Sequence, residues 1–247
     1  MQHSDAIIIG SGIIGGAVGL ELARLGFRSL NVDRHPAAGY GSTSASCAII
    51  RFHYSTAEGV AMARESYYHW LDWPKYLGAP DESGMARYIN TGCLVIKDET
   101  NQFLEPVMAL FDGLNLAYEE LDPKELSHFV PFMDTKQYGP PVRPDDPRFG
   151  EATGDSIAGA IYIPESGYIN DPQLACHNLQ RACEARGGTF LFNAEVVEIF
   201  KGVSRVEGVR LSDGREIPAP VVVNVAGPHS FKINRLADVE SGMQITT

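Results

Sequence analysis

The sequence predicts an α/β protein, a parallel sheet flanked by helices and interrupted by an inserted α+β lobe. Three observations lead there. An apolar run, Ile7-Ile8-Ile9, opens the chain and leads into Gly10-Ser11-Gly12-Ile13-Ile14-Gly15. A second run, Ser29-Leu30-Asn31-Val32, ends on an acid, Asp33. A third, Val221-Val222-Val223-Asn224-Val225, arrives only near the end of the chain, after a long stretch of mixed character. Continuous apolar runs of this kind read as strands buried on both faces, the mark of a parallel sheet. Alternating helix and strand signals with a late antiparallel meander add the inserted lobe.

The first unit is a strand, a G-x-G-x-x-G turn, a helix and a second strand ending in a carboxylate, which together form a dinucleotide-binding fingerprint. Gly10 permits the tight turn off the strand. Gly12 removes the side chain where a pyrophosphate must approach the backbone; valine there would fill that space and demand an unfavourable backbone angle. Gly15 lets the helix lie close to the sheet. The helix that begins at Ile13 and Ile14 offers unpaired N–H groups and a positive dipole end to the phosphates. Asp33 is placed to accept from a ribose hydroxyl, and Arg34 follows it.

A loop of small residues comes next, Gly41-Ser42-Thr43-Ser44-Ala45-Ser46, leading to Cys47-Ala48-Ile49-Ile50-Arg51. Val60, Ala63, Tyr67, Trp70 and Leu71 recur at helical spacing over 56–73, with Pro74 as the boundary. Residues 87–96 read as one strand. Residues 101–114 read as an amphipathic helix with Phe103, Val107, Leu110 and Phe111 on one face. Asp122 caps a short helix with Pro123 at its first position. A proline- and charge-rich loop occupies 131–153. Order returns with a strand over 159–163, and Asp171-Pro172 starts a helix that runs to Gly187-Gly188. Strands follow at 189–192, 196–200 and 206–211, with a hairpin at Ser212-Asp213-Gly214. The last apolar run ends at Ala226-Gly227, where a further helix starts.

The chain has 247 residues, 44% hydrophobic and 21% charged, enough for one large domain or two small ones. A formal charge of −11 argues against a nucleic-acid surface or an anionic membrane as partner. No run reaches the roughly 18–20 apolar residues of a membrane span, and nothing at the N-terminus resembles a signal peptide. The four cysteines show no metal-ligand spacing, so no metal is expected; they read as buried thiols of a reducing, cytoplasmic compartment.

Four segments in register resemble the D-amino-acid-oxidase-like family of FAD-dependent oxidoreductases, nearest to sarcosine oxidases, their beta subunits and dimethylglycine dehydrogenases. They are the fingerprint; Gly41-Ser42-Thr43-Ser44 through Ile49-Ile50-Arg51; Gly167-Tyr168-Ile169-Asn170-Asp171-Pro172; and Val223-Asn224-Val225-Ala226-Gly227-Pro228. The resemblance implies a Rossmann-like FAD-binding domain of the glutathione-reductase type, discontinuous over 1–80 and 165–247, with a substrate lobe over 81–164. It implies that Gly10, Gly12, Ile13, Ile14 and Gly15 hold the pyrophosphate and Asp33 the ribose, with Arg34 on the adenosine side or else a solvated surface charge. Gly41, Ser42, Thr43 and Ser44 would face the pyrophosphate and flavin, the Val196 backbone the adenine, and Ala226-Gly227 the cofactor at close approach.

Arg51 matches the position that holds a substrate carboxylate through a bidentate fork; the alternative is an ion pair with a local acid such as Glu58. His53 and Tyr54 are further substrate candidates. The activity implied is oxidation of the C–N bond of an amino acid or N-methylated amine by hydride transfer to the flavin. Oxidation of a hydroxy acid or glycerol phosphate on the same fold is the alternative within enzymes. Ala45 stands where some relatives carry a histidine bonded to flavin, so non-covalent FAD is expected. Pro228-His229 replaces the common aromatic after Ala-Gly, and Asn170 lacks a neighbouring histidine for a second flavin. Family members are longer, and Met243–Thr247 reads as the start of another substrate-domain strand. A fragment or a subunit completed by another chain is therefore the third reading.

Overall fold

The computed structural model describes residues 4–154 and 156–242. The expected strand start at Met243–Thr247 lies outside the described residues. In chain order the elements begin β1 (Ala6–Ile9), α1 (Ile13–Arg24), β2 (Ser29–Val32), β3 (Ile49–Ile50), α2 (Ala57–Leu71) and α3 (Trp73–Leu77). They continue with β4 (Tyr88–Asn90), β5 (Cys93–Ile96), α4 (Glu105–Leu114), β6 (Glu119–Leu121), α5 (Pro123–Phe129), β7 (Ala160–Ile163) and β8 (Gly167–Ile169). The last group is α6 (Pro172–Glu184), β9 (Thr189–Leu191), β10 (Val196–Lys201), β11 (Val206–Leu211), β12 (Glu216–Pro218), β13 (Val222–Asn224) and α7 (Ser230–Leu236).

These elements form two compact units. The first holds the residues up to Ala48, then His69–Tyr88 and everything from Ile169 onward; the second holds Ile49–Tyr68 and Ile89–Tyr168. Segment 49–68, which the sequence pattern assigns to 1–80, thus groups with the second unit.

In the first unit the parallel sheet has the order β13-β1-β2-β9, with Ile8 opposite both Val223 and Asn31, and Val32 opposite Leu191. The late runs reach it as expected, but residues 189–191 are not part of a meander; they extend the parallel sheet. The antiparallel meander is β10-β11-β12, and it lies in this unit, within the 165–247 segment expected here. Its inward residues Val196, Ile199, Val209, Leu211 and Ile217 form one core with Ile7, Ile9 and Val32. The fully apolar pattern of β1 follows, since all four of its residues are buried.

Two buried asparagines organise this unit, and no sequence motif marks either. Asn31, 0% exposed in the middle of β2, donates from Nδ2 to Gly15 O at 2.8 Å and Gly10 O at 3.4 Å. It ties the glycine turn to the first turn of α1. Asn178, 1% exposed on α6, uses all four of its hydrogen-bonding positions. Its Oδ1 accepts from Trp73 Nε1 (3.2 Å) and Ala86 N (2.9 Å), and its Nδ2 donates to Asp81 Oδ2 (2.6 Å) and Gly84 O (2.8 Å). The irregular segment 78–86 is held to α6 by this side chain, by His177, whose Nδ1 meets Asp81 Oδ2 at 2.8 Å, and by the ion pair of Arg181 with Glu82.

The second unit carries two three-stranded sheets, β3-β8-β4 and β5-β7-β6. Several expected elements differ, one of them, α3, in the first unit. Pro74 does not end the aromatic helix; it sits in the first turn of α3, where its missing N–H costs nothing, and Asp72 caps that helix. The strand expected over 87–96 is broken into β4 and β5 by Gly92, which has φ of +69° and packs against the Tyr162 ring. The helix expected from residue 101 begins at Glu105, because Gln102, Phe103 and Leu104 have positive φ. Phe103 therefore leaves the helical face and is 40% exposed. Asp122 caps α5 as expected, with Glu125 completing a capping box.

Candidate functional site

The ends of β1, β2 and β13 converge on a cavity of about 680 Å³ in the first unit, at the carboxyl end of the strands, where open α/β sheets bind ligands. It is lined by Gly10, Gly12, Ile13 and Ile14 on one side, by Asp33 and Arg34 on another, and by Gly41, Ser42 and Thr43. Val196, Ala226 and Gly227 line it as well. Two predicted residues stand back from it. Gly15 is buried under the turn, and Ser44 instead donates from Oγ to Gly41 O at 3.1 Å.

The glycine turn is built as the spacing requires. Gly10 has φ of +119°, and a Cβ there would sit 2.4 Å from Val225 O. A Cβ on Gly15 would lie 2.1 Å from Gly10 O. Gly12 differs from the sequence expectation. Its φ is −73°, open to any residue, so a side chain there is opposed by space alone, with the Cβ position 3.0 Å from Thr43 Oγ1.

The intrahelical ladder opens with Gly16 N to Gly12 O, leaving the N–H groups of Ile13, Ile14 and Gly15 without helical acceptors. Thr43 Oγ1 accepts from Ile13 N at 3.2 Å. Asp33 Oδ2 accepts from Ser11 N (2.7 Å) and Oδ1 from His35 N (2.9 Å), which locks the carboxylate while leaving lone pairs for a hydroxyl. A glycine cradle, a helix N-terminus and a fixed acid fit a pyrophosphate and a ribose.

His229 and Lys232, absent from the sequence prediction, also line the cavity. Arg34 Nη2 meets His229 Nε2 at 3.0 Å, an exposed contact between two residues that line the cavity. The signal for His229 was its place in the Ala-Gly-Pro-His turn.

Arg51, His53 and Tyr54 lie together in the second unit. Arg51 Nη1 contacts His53 Nε2, and its guanidinium carbon lies 5.2 Å from the centre of the Tyr54 ring. Among the described residues no carboxylate pairs with Arg51, so the ion pair with Glu58 does not form. Burial first, and then the Arg51 charge, depress the pKa of His53 to about 4. Its protonation is thus favoured in the unfolded chain. Stability is expected to decline as pH falls from about 6.5 toward 4. An NMR titration of His53 checks the assignment: the midpoint should lie near 4 and rise in Arg51→Gln while staying below 6.5. An unchanged midpoint in that variant would remove Arg51 as a cause.

Asp81, Glu82 and His177 offer ligand atoms within 4.8 Å of one another, yet Glu82 is paired with Arg181 and Asp81 serves the Asn178 network. Of the four cysteines, Cys176 and Cys183 are buried as expected, whereas Cys47 is exposed in its loop and Cys93 is half-buried. Burial pushes Cys176 up to about 12, which keeps it a thiol. Among the described residues no helix is long and apolar enough to cross a membrane.

Comparison with known proteins matches residues 5–246 to the family described as FAD dependent oxidoreductase (DAO). Mouse mitochondrial sarcosine dehydrogenase is 29% identical over 168 residues, covering 65% of this chain and 16% of that protein. One component of the anaerobic glycerol-3-phosphate dehydrogenase of Escherichia coli (strain K12) is 24% identical over 251 residues, covering 98% of this chain and 41% of its own length. The chain therefore spans less than half the length of these relatives. In fold it is similar to L-proline dehydrogenase from P. horikoshii (TM-score 0.77, 21% identity, 97% of this chain and 57% of that one). It is similar also to glycine oxidase from Geobacillus kaustophilus (TM-score 0.75, 20% identity, 97% and 60%).

Proposed function

Because the chain belongs to the family of FAD-dependent oxidoreductases, we propose that it carries the cofactor-binding and carboxylate-binding parts of an enzyme that oxidises the C–N bond of an amino acid or N-methylated amine of the sarcosine or glycine type. The first unit is then the FAD-binding domain and the second the substrate lobe. Bound FAD supplies the acceptance of two electrons from the substrate, chemistry that no side chain can perform. The turn at Gly10–Gly15 and the N–H groups of α1 would hold the pyrophosphate and Asp33 the ribose. Ala45 offers no nucleophile to the flavin, which supports non-covalent binding.

The observation that carries the substrate class is Arg51, a half-buried cation with no carboxylate partner among the described residues. Its partners are an imidazole and an aromatic face, so its charge is available to an anionic ligand. An α-amino acid brings such an anion and leaves its amine free to react. The likeness to sarcosine dehydrogenase supports the amine class. The likeness to a component of glycerol-3-phosphate dehydrogenase fits the hydroxy-compound alternative without favouring it.

Arg51→Lys keeps the charge and loses the two-pronged donor. The expected loss is about 1–3 kcal/mol, or roughly a 5- to 150-fold drop in kcat/KM, with FAD still bound. N-methyl amino acids should suffer it, and matched amines lacking a carboxylate should not. An equal change in both classes would place Arg51 outside carboxylate recognition.

A further inference from the structure

The pairing of Arg51 with His53 carries an inference that rests on the carboxylate reading and extends it by one residue. Past β3 the chain sends Phe52 to one side, where it is 0% exposed and meets the Tyr67 ring edge-on at 5.4 Å. Arg51 and His53 face the other way and meet through Nη1 and Nε2. A guanidinium has only donors, so Nε2 must accept. A neutral imidazole whose lone pair sits on Nε2 carries its proton on Nδ1. That Nδ1 atom is buried and has no hydrogen-bond partner among the described residues. The ring therefore leaves one buried polar atom unsatisfied while the other engages the arginine. Such an arrangement is costly for mere packing, since a buried polar group without a hydrogen bond has lost its water and gained nothing in return.

The chemistry of the partner matters as much as its position. An aspartate or glutamate at residue 53 could also hold the guanidinium, but it would neutralise it. An imidazole holds without neutralising, and the Tyr54 face 5.2 Å away does the same.

We propose that His53, as its Nδ1–H tautomer, is a positioning residue that accepts from Arg51 and presents its uncompensated guanidinium to a small carboxylate ligand. The depressed basicity of His53 agrees, because protonation would remove the accepting lone pair.

The test uses the full chain labelled with ¹⁵N, acetate as the probe and methylammonium as the control. Long-range ¹⁵N–¹H spectra should show the Nδ1–H tautomer at neutral pH. Acetate should shift the Arg51 Nε–H resonance, and methylammonium should not. His53→Phe keeps a ring but no acceptor and should weaken acetate binding about 10-fold, the loss of one charge-assisted hydrogen bond. His53→Gln, whose Oε1 can accept, should recover most of it, and His53→Glu should abolish it by filling the arginine with a charge of its own. An Nε2–H tautomer in the wild type, or equal acetate affinity in His53→Phe and wild type, overturns the positioning role and leaves the carboxylate reading standing. Acetate binding that survives Arg51→Gln unchanged overturns both. Should His53→Phe fail to fold, the wild-type tautomer decides the matter alone.

Discussion

Gly12→Val is expected to abolish FAD binding while the protein still folds. The φ of −73° at Gly12 is ordinary for valine, and its Cβ would first meet the Thr43 hydroxyl at 3.0 Å, the end of a side chain that can turn away. The fold control is therefore a thermal midpoint close to that of the wild type. The two added methyls would occupy the approach to the N–H groups of α1, where the pyrophosphate must come within hydrogen-bond distance. A loss of at least about 100-fold in affinity, about 2.7 kcal/mol, is expected. Flavin content after purification and FAD titration of the variant measure it. Wild-type flavin content would show that this loop does not hold the phosphates. Gly10→Ala is a poorer test, since φ of +119° and a Cβ 2.4 Å from Val225 O would damage the fold itself.

Asn178→Leu is expected to cost about 3–6 kcal/mol of stability, because it strands several buried groups at about 1–3 kcal/mol each. The stranded groups are the Trp73 indole N–H, the Ala86 N–H, the Gly84 carbonyl and one lone pair of Asp81 Oδ2. Against a typical domain stability of about 5–15 kcal/mol, this is a large fraction. Urea denaturation reads it as a shift in midpoint, and a loss under about 1 kcal/mol would mean that the segment 78–86 is held by other contacts.

The same site sets an acid limit. Burial pushes the Asp81 pKa up, but hydrogen bonds from Ser83 N, Asn178 and His177 outweigh it and hold the carboxyl below its ordinary value. A depressed carboxyl stabilises the fold above its unfolded pKa and loses that contribution as pH falls through the folded one. The variant lacks one of these donors, so its acid unfolding should begin at a higher pH.

The nucleotide half of the fold was largely legible because its signals are local. Gly10 and Gly15 announce a turn that no side chain can enter, and Ile7–Ile9 announces a strand with no polar face. Twelve of the predicted cofactor residues line one cavity, those of the glycine turn from a motif with its own geometry and others, such as Val196 and Ala226, only from the resemblance. Asn31 and Asn178 were not legible. An asparagine in an apolar strand or on a helix looks like a surface residue until its partners, distant in sequence, are known. His229 was visible only as a departure from a pattern. The second unit was read least well, since its breaks depend on positive φ at Gly92 and at Gln102–Leu104. For the non-glycine positions no residue type signals such a backbone. Pro74 marked a true boundary with the wrong sense, because proline serves at the start of a helix as well as past its end.

FAD is the ligand expected in the cavity at the ends of β1, β2 and β13. Titration of the flavin-free chain with FAD, followed by the change in flavin fluorescence and repeated in excess NAD, tests it most directly. Saturation is expected at one FAD per chain, unmoved by NAD and weakened by Asp33→Ala. Binding of NAD to this cavity with no binding of FAD would contradict it.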